Sequence, residues 1–185
     1  MHPLAIATLA ILPFLAVPNP AQAASATSPA KGSLGLPAEG TWKFFNGREF
    51  PGANGKLNLA TEADQTTATI SYDFSGGGLY VCAQTKTEIP VGTGEIRIRV
   101  KSEEPGPVSL RLVDSTGQKL SIMTTYTQAG EWQVLRFPLS GKIRHFGGAN
   151  DGKIHFPVTS LSLLVHKSSR IEPSGTLSFT NFQLL

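Results

Sequence analysis

From residue 68 onward the chain repeats one local pattern: an apolar side chain at every second position, broken at short intervals by Gly, Pro, Asn or Asp. An amphipathic helix needs its apolar residues three or four apart, so period-two alternation selects a strand with one face buried. "ATISYDF" puts Ala68, Ile70, Tyr72 and Phe74 on one side and Thr69, Ser71 and Asp73 on the other. "EIRIRVK" offers Ile96, Ile98 and Val100 against Arg97, Arg99 and Lys101, and "VSLRLVD" offers Val108, Leu110 and Leu112. "KLSIMTTYT" and "EWQVLRFPLS" follow, the second with Leu135, Phe137 and Leu139 in step. Ser75-Gly76-Gly77-Gly78 and Asp114-Ser115-Thr116-Gly117 read as hairpin turns. In the last segment Leu177 and Phe179 share one parity while Phe182 and Leu184 share the other. A bulge near Thr180-Asn181 brings all four inward. With no sustained helical stripe, roughly eight to ten strands imply an all-β fold, an antiparallel two-sheet β-sandwich of the jelly-roll type.

The alternation is preceded by a different kind of segment. Residues 4 to 17, "LAIATLAILPFLAV", are apolar and uncharged, and Ala21-Gln22-Ala23 follows a Pro-Asn-Pro break. This is the h-region and small-x-small cleavage site of a secretory signal peptide over residues 1–23. The run is too short to cross a bilayer core of about 30 Å, so no membrane span is expected after its removal. Residues 24–38, rich in Ala, Ser, Gly and Pro, read as a flexible linker, leaving 39–185 as the domain. A secreted or periplasmic location follows. The single cysteine, Cys82, excludes an intrachain disulfide, and facing inward it acts as a small hydrophobe. The domain is large enough to be held by its core alone.

Charge narrows the partners. Between residues 24 and 139 eleven Lys and Arg balance eleven Asp and Glu, whereas 140–185 has five against two. The net charge of +3 therefore comes from the last quarter. With no basic helix and no aromatic RNA-binding motif, this is not the footprint of a nucleic-acid partner.

"SGKIRHFGGANDGKIHF", residues 140 to 156, is the longest polar interruption, and long loops in compact domains are often functional. A sugar site needs apolar faces for ring C–H groups and planar polar groups for hydroxyls. Phe146 supplies the first, and Arg144, His145, Asn150, Asp151 and Lys153 the second. The plainer alternative is that Phe146 caps the core and Asn150-Asp151-Gly152 is a solvated turn.

The order "EIRIRV", "VSLRLVDSTG", "EWQVLRFPL", "SLSLLV" and "GTLSFTNFQL" resembles the galactose-binding-domain-like β-sandwiches, similar to carbohydrate-binding modules of glycoside hydrolases. The matching motifs are Asp114-x-x-Gly117, Gly130-x-Trp132 and the closing strand from Gly175, over roughly residues 40–185. The resemblance implies non-catalytic binding of a poly- or oligosaccharide. It also implies a structural calcium held by carboxylates of the first and last strands. Asn181 stands where the last-strand Asp belongs, and Glu49 is the available early carboxylate, so they are the metal candidates. No other cofactor is expected.

Other chemistries have less to stand on. His145 and His155 flank Asp151, but a zinc site normally shows one closely spaced ligand pair; His166 reads as a strand-end surface residue. A glycosidase needs two carboxylates across a cleft, and the Asp residues fall mainly at turns. No Gly-x-Ser-x-Gly nucleophile elbow is present. Trp42 and Trp132 read as core residues, while Tyr80 and Tyr126 read equally as core or platform. The readings in order are a glycan-binding module, then a structural or protein-interaction sandwich of the cell envelope without sugar affinity, then a polysaccharide-degrading enzyme.

Overall fold

A computed structural model describes Ser33–Leu34 and residues 41–63, 65–169 and 172–185. The signal segment 1–23 and most of the linker 24–38 lie outside these residues. Among the described residues twelve strands run in chain order: β1 (Ser33–Leu34), β2 (Lys43–Phe45), β3 (Asn54–Glu62), β4 (Gln65–Asp73), β5 (Tyr80–Ile89), β6 (Glu95–Ser102), β7 (Gly106–Val113), β8 (Lys119–Tyr126), β9 (Gln133–Pro138), β10 (Arg144–Phe146), β11 (Val158–His166) and β12 (Ser174–Leu184). Every pairing is antiparallel. Sheet I has the order β3-β4-β12-β6-β9, with β1 also on β12. Sheet II has the order β10-β8-β7-β11-β5-β2. Among the described residues there is no helix, and none long and apolar enough to cross a membrane.

The two sheets close over one core, and the alternation decides which residues enter it. Ala68, Ile70, Tyr72 and Phe74 are buried, as are Ile96, Ile98, Val100, Val108, Leu110, Leu112, Leu135 and Phe137. The register of β12 against β6 slips between Thr180 and Phe182, and Asn181 takes φ +52° at the slip. The extra residue resets the parity, so Leu177, Phe179, Phe182 and Leu184 are all buried. Trp42 packs edge-on against Phe179 at 5.2 Å and against Phe182 at 5.7 Å. Each fully buried side chain of this size contributes roughly 1.5–3 kcal/mol.

Several expectations change. The glycine run after Asp73 is not a hairpin: β4 pairs with β3 and β12, β5 with β2 and β11, and residues 74–79 cross between the sheets. β3 was not legible because only Leu57 and Leu59 pack inward along a mostly exposed strand. The polar segment 140–156 contains β10, paired to β8 at the edge of sheet II. Trp132 is outside the core; it lies on the outer face of sheet I, with the Arg99 guanidinium 5.1 Å from its ring centre.

Candidate functional site

Side chains of sheet II that point away from the core line up across the strands. The register sets Phe45, Cys82, Leu164, Ser109 and Met123 in one row, and Lys43, Gln84, Ser162, Arg111, Ser121 and Arg144 in the next. A third row holds Lys86, Ser160, Val113, Lys119 and Phe146. These rows floor a trough. One depression encloses about 620 Å³ between Glu49, Phe50, Leu79 and Tyr80 on one side and Met123, Arg144 and Phe146 on the other. A neighbouring depression shares Glu49, Tyr80 and Arg111 with it, and a third shares Phe45, Gln84 and Val113 with the second, extending the trough toward Lys43 and Lys86. Of the eight large hydrophobic side chains that stay exposed among the described residues, five (Phe45, Phe50, Leu79, Met123, Phe146) line this trough, which makes it the candidate binding surface.

One wall is the loop between β2 and β3. Gly52, at φ +116°, presses on the crossover to β5, where a Cβ would lie 2.2 Å from the Gly76 carbonyl oxygen. Only glycine permits this approach. The contact holds Glu49 and Phe50 over Tyr80, with the two rings edge-to-face at 6.4 Å.

Arg111 sits at the centre. Its Nη1 donates to the Tyr80 hydroxyl at 3.3 Å and its Nε to Ser121 Oγ at 3.4 Å. Its guanidinium stands 5.0 Å from the Tyr80 ring centre and 5.9 Å from that of Phe146. The Tyr80 hydroxyl donates to Glu49 Oε1. That bond holds the Glu49 carboxyl below its ordinary range, whereas burial, then Glu49, push Tyr80 up. His166 Nε2 lies 2.8 Å from Ser109 Oγ. Burial, followed by the charges of Arg111 and Arg144, takes the imidazole down to about 4, so it is neutral at physiological pH. Cys82 points outward, into a cluster with Tyr80 and Leu164, and burial pushes its thiol up to about 11. It is therefore an unreactive floor residue of the trough, not a member of the main core.

The 140–156 segment divides. Arg144 and Phe146 enter the trough from β10. His145, between them, faces the other way: its Nδ1 lies 3.0 Å from the Ile143 carbonyl and its ring packs on Gly152. Beyond β10 the chain is tied to the β7–β8 turn. Buried Asp114 accepts from the Thr116, Gln118 and His155 amides at 2.9–3.2 Å. Burial would raise the Asp114 carboxyl, but bonds donated by the Thr116 hydroxyl, the His155 amide and the Gln118 side chain outweigh it and hold it low. Fully buried Gln118 donates to the Lys153 carbonyl at 2.7 Å and accepts from the Gly152 amide at 3.1 Å. Gly148, at φ +53°, seats the segment where a Cβ would fall 2.2 Å from the Gln118 nitrogen. Asp151 accepts from the Lys153 amide, which lowers its carboxyl, and pairs with His155 at 3.1 Å. Asn150 turns the chain at φ +52°. His145, Asn150, Asp151 and Lys153 thus do not line the trough.

The metal candidates do not converge. Glu49 lies at the sheet II trough, bonded to Tyr80, while Asn181 is exposed at the bulge of sheet I. Among the described residues no group of three or more His, Cys, Asp or Glu is arranged to hold a metal ion. Ser109, Arg111, Ser121, Met123 and Leu164 were not singled out from the sequence, while Tyr80 read as core or platform and His166 as a strand-end surface residue. Their signal is the outward parity of β5 and β11, where Tyr80, Cys82, Leu164 and His166 break the polar-out rule. Reading it requires the strand order.

No protein-family model matches the chain, and no curated protein does. Solved structures do. A family 11 carbohydrate-binding module from Clostridium thermocellum, in complex with a β-1,3-1,4-mixed-linked tetrasaccharide, superposes with a TM-score of 0.62 at 14% identity, covering 83% of this chain and 94% of that one. The solution structure of CtCBM11 gives 0.61 at 15% identity, over 87% and 97%. The agarase AgWH50C gives 0.51 at 12% identity, over 84% of this chain and 25% of that one. The sandwich is therefore a fold shared with carbohydrate-binding modules.

Proposed function

We propose that this protein binds a poly- or oligosaccharide without transforming it, and that the sugar lies across the outer face of sheet II. The observation that carries the reading is the trough itself, in which exposed Phe50, Met123 and Phe146, with the buried Tyr80 ring at its wall, surround the donors of Arg111 and Arg144. Apolar rings and aliphatic surface take the C–H faces of pyranose rings, while a few placed polar groups meet hydroxyls and fix orientation. Glu49 accepts, Arg111 donates, and Ser109, Ser121 and Tyr80 do either. The likeness to a module in complex with a mixed-linked tetrasaccharide supports this reading. Arg144 and Phe146 belong to it; His145, Asn150, Asp151 and Lys153 support it from behind, through the turn.

The segment 1–23 directs export, so the protein works outside the cytoplasm, secreted or periplasmic, with a mature chain starting near Ala24. Affinity electrophoresis against mixed-linkage β-glucan, agarose oligosaccharides and acidic glycans tests the binding. Retardation in at least one gel is expected, and a folded protein that none retards overturns it.

A further inference from the structure

We infer that the glycan taken by this trough carries oxyanions, as carboxylates or sulfate esters, read by Arg111, Arg144 and Lys119; the inference rests on the glycan reading above. The trough and its two extensions are lined by six cationic side chains: Lys43, Arg48, Lys86, Arg111, Lys119 and Arg144. Glu49 is their one acidic neighbour in the lining, and its carboxylate is already bonded by the Tyr80 hydroxyl. Among the described residues none of the six makes an ion pair; the pairs that form are Arg97–Glu95 and His155–Asp151, both outside the trough.

A depression lined by charges of one sign focuses its potential on whatever enters. A neutral sugar would leave that potential unanswered. A carboxylate or sulfate accepts charge-assisted hydrogen bonds and matches the planar fork of Arg. The cations are also spread. They run from Lys43 on β2 through Lys86 on β5, Arg111 on β7 and Lys119 on β8 to Arg144 on β10. Five inter-strand steps at the usual spacing place the ends about 24 Å apart. That distribution fits repeated anions along a polymer better than one charged group. The aromatic rings under Arg111 and Lys119 argue that sugar rings, rather than charge alone, are recognised. The neutral state of His166, pushed there in part by Arg111 and Arg144, is consistent with a positive field in the unliganded trough.

The test compares polymers that differ in charge alone. The intact protein is titrated with polygalacturonate and its methyl ester, and with a sulfated galactan and its desulfated form. The acidic member of at least one pair should bind about tenfold or more tightly at low salt, the margin shrinking as ionic strength rises. The pair that shows the margin tells carboxylate from sulfate. Arg144→Gln and Lys119→Gln should each reduce the margin several-fold, and Arg136→Gln on sheet I should leave it intact. Equal affinity for charged and neutral members overturns the inference and leaves the glycan reading standing. Polyglutamate or single-stranded DNA binding as tightly as the acidic glycan overturns it too. Failure to bind any glycan, mixed-linkage β-glucan included, removes both.

Discussion

The outer faces of the two sheets are built from the same alternating strands and come out opposite. On sheet I the outward positions of β4, β12 and β6 are Thr69, Ser71, Asp73, Thr176, Ser178, Arg97, Arg99 and Lys101. These side chains are answered within the face: Thr69 bonds Ser178 at 2.9 Å, Arg97 bonds Glu95, and Arg99 lies over Trp132. On sheet II the outward positions hold Tyr80, Cys82, Leu164, Met123, Arg111 and Arg144, which differ in size and leave a depression between them. A sheet face satisfied by its own cross-strand pairs is a surface. One whose large groups remain partly unanswered is a candidate site.

The comparison can be broken at four points. The largest effect belongs to what the sheets share: Phe137→Ala, fully buried, should destabilise by about 3–5 kcal/mol in denaturant melts and take both faces with it. Next is a property of sheet II alone. His166 is held at about 4 in the fold against 6.5 when free, so between those values the unfolded chain binds the extra proton. Stability is full above pH 6.5 and falls as pH drops toward 4, by on the order of 3 kcal/mol; His166→Gln should flatten that slope in pH-resolved melts. Third, Phe146→Ala should weaken glycan affinity about ten- to a hundredfold at unchanged melting temperature. Asn150→Ala should leave affinity alone and lower stability by about 1 kcal/mol, because alanine fits its φ of +52° poorly. If Asn150→Ala loses binding and Phe146→Ala does not, the site belongs to the turn. Smallest is Arg97→Ala, whose half-buried pair with Glu95 on the outer face should contribute under about 1 kcal/mol and nothing to binding.

Much of this fold was legible because burial has a local signature. Ile70, Ile98, Leu110 and Phe137 announce their face through their neighbours, and even the bulge at Asn181 could be read from a parity that breaks midway. Sheet membership has no such signature. Residues 75–78 look like a hairpin turn whether the chain folds back or crosses, and here it crosses. The candidate site suffered for the same reason. Arg144 and Phe146 stood out in a polar stretch, whereas Tyr80, Arg111 and His166 come from three strands far apart in sequence. Only the order β7-β11-β5 makes them neighbours. His166 shows the limit most plainly: at a strand end it reads as solvated, yet burial, followed by the charges of Arg111 and Arg144, strips its proton.

The contact between Gly52 and Gly76 has a consequence for the kinetics of recognition. Because backbone meets backbone there, the wall carrying Glu49 and Phe50 is set when the chain folds and not when a ligand arrives. A loop ordered on binding subtracts its lost freedom from affinity and slows association. A wall already in place does neither, so encounter is limited by how a sugar polymer orients as it lands, and selectivity is expressed in how long it stays.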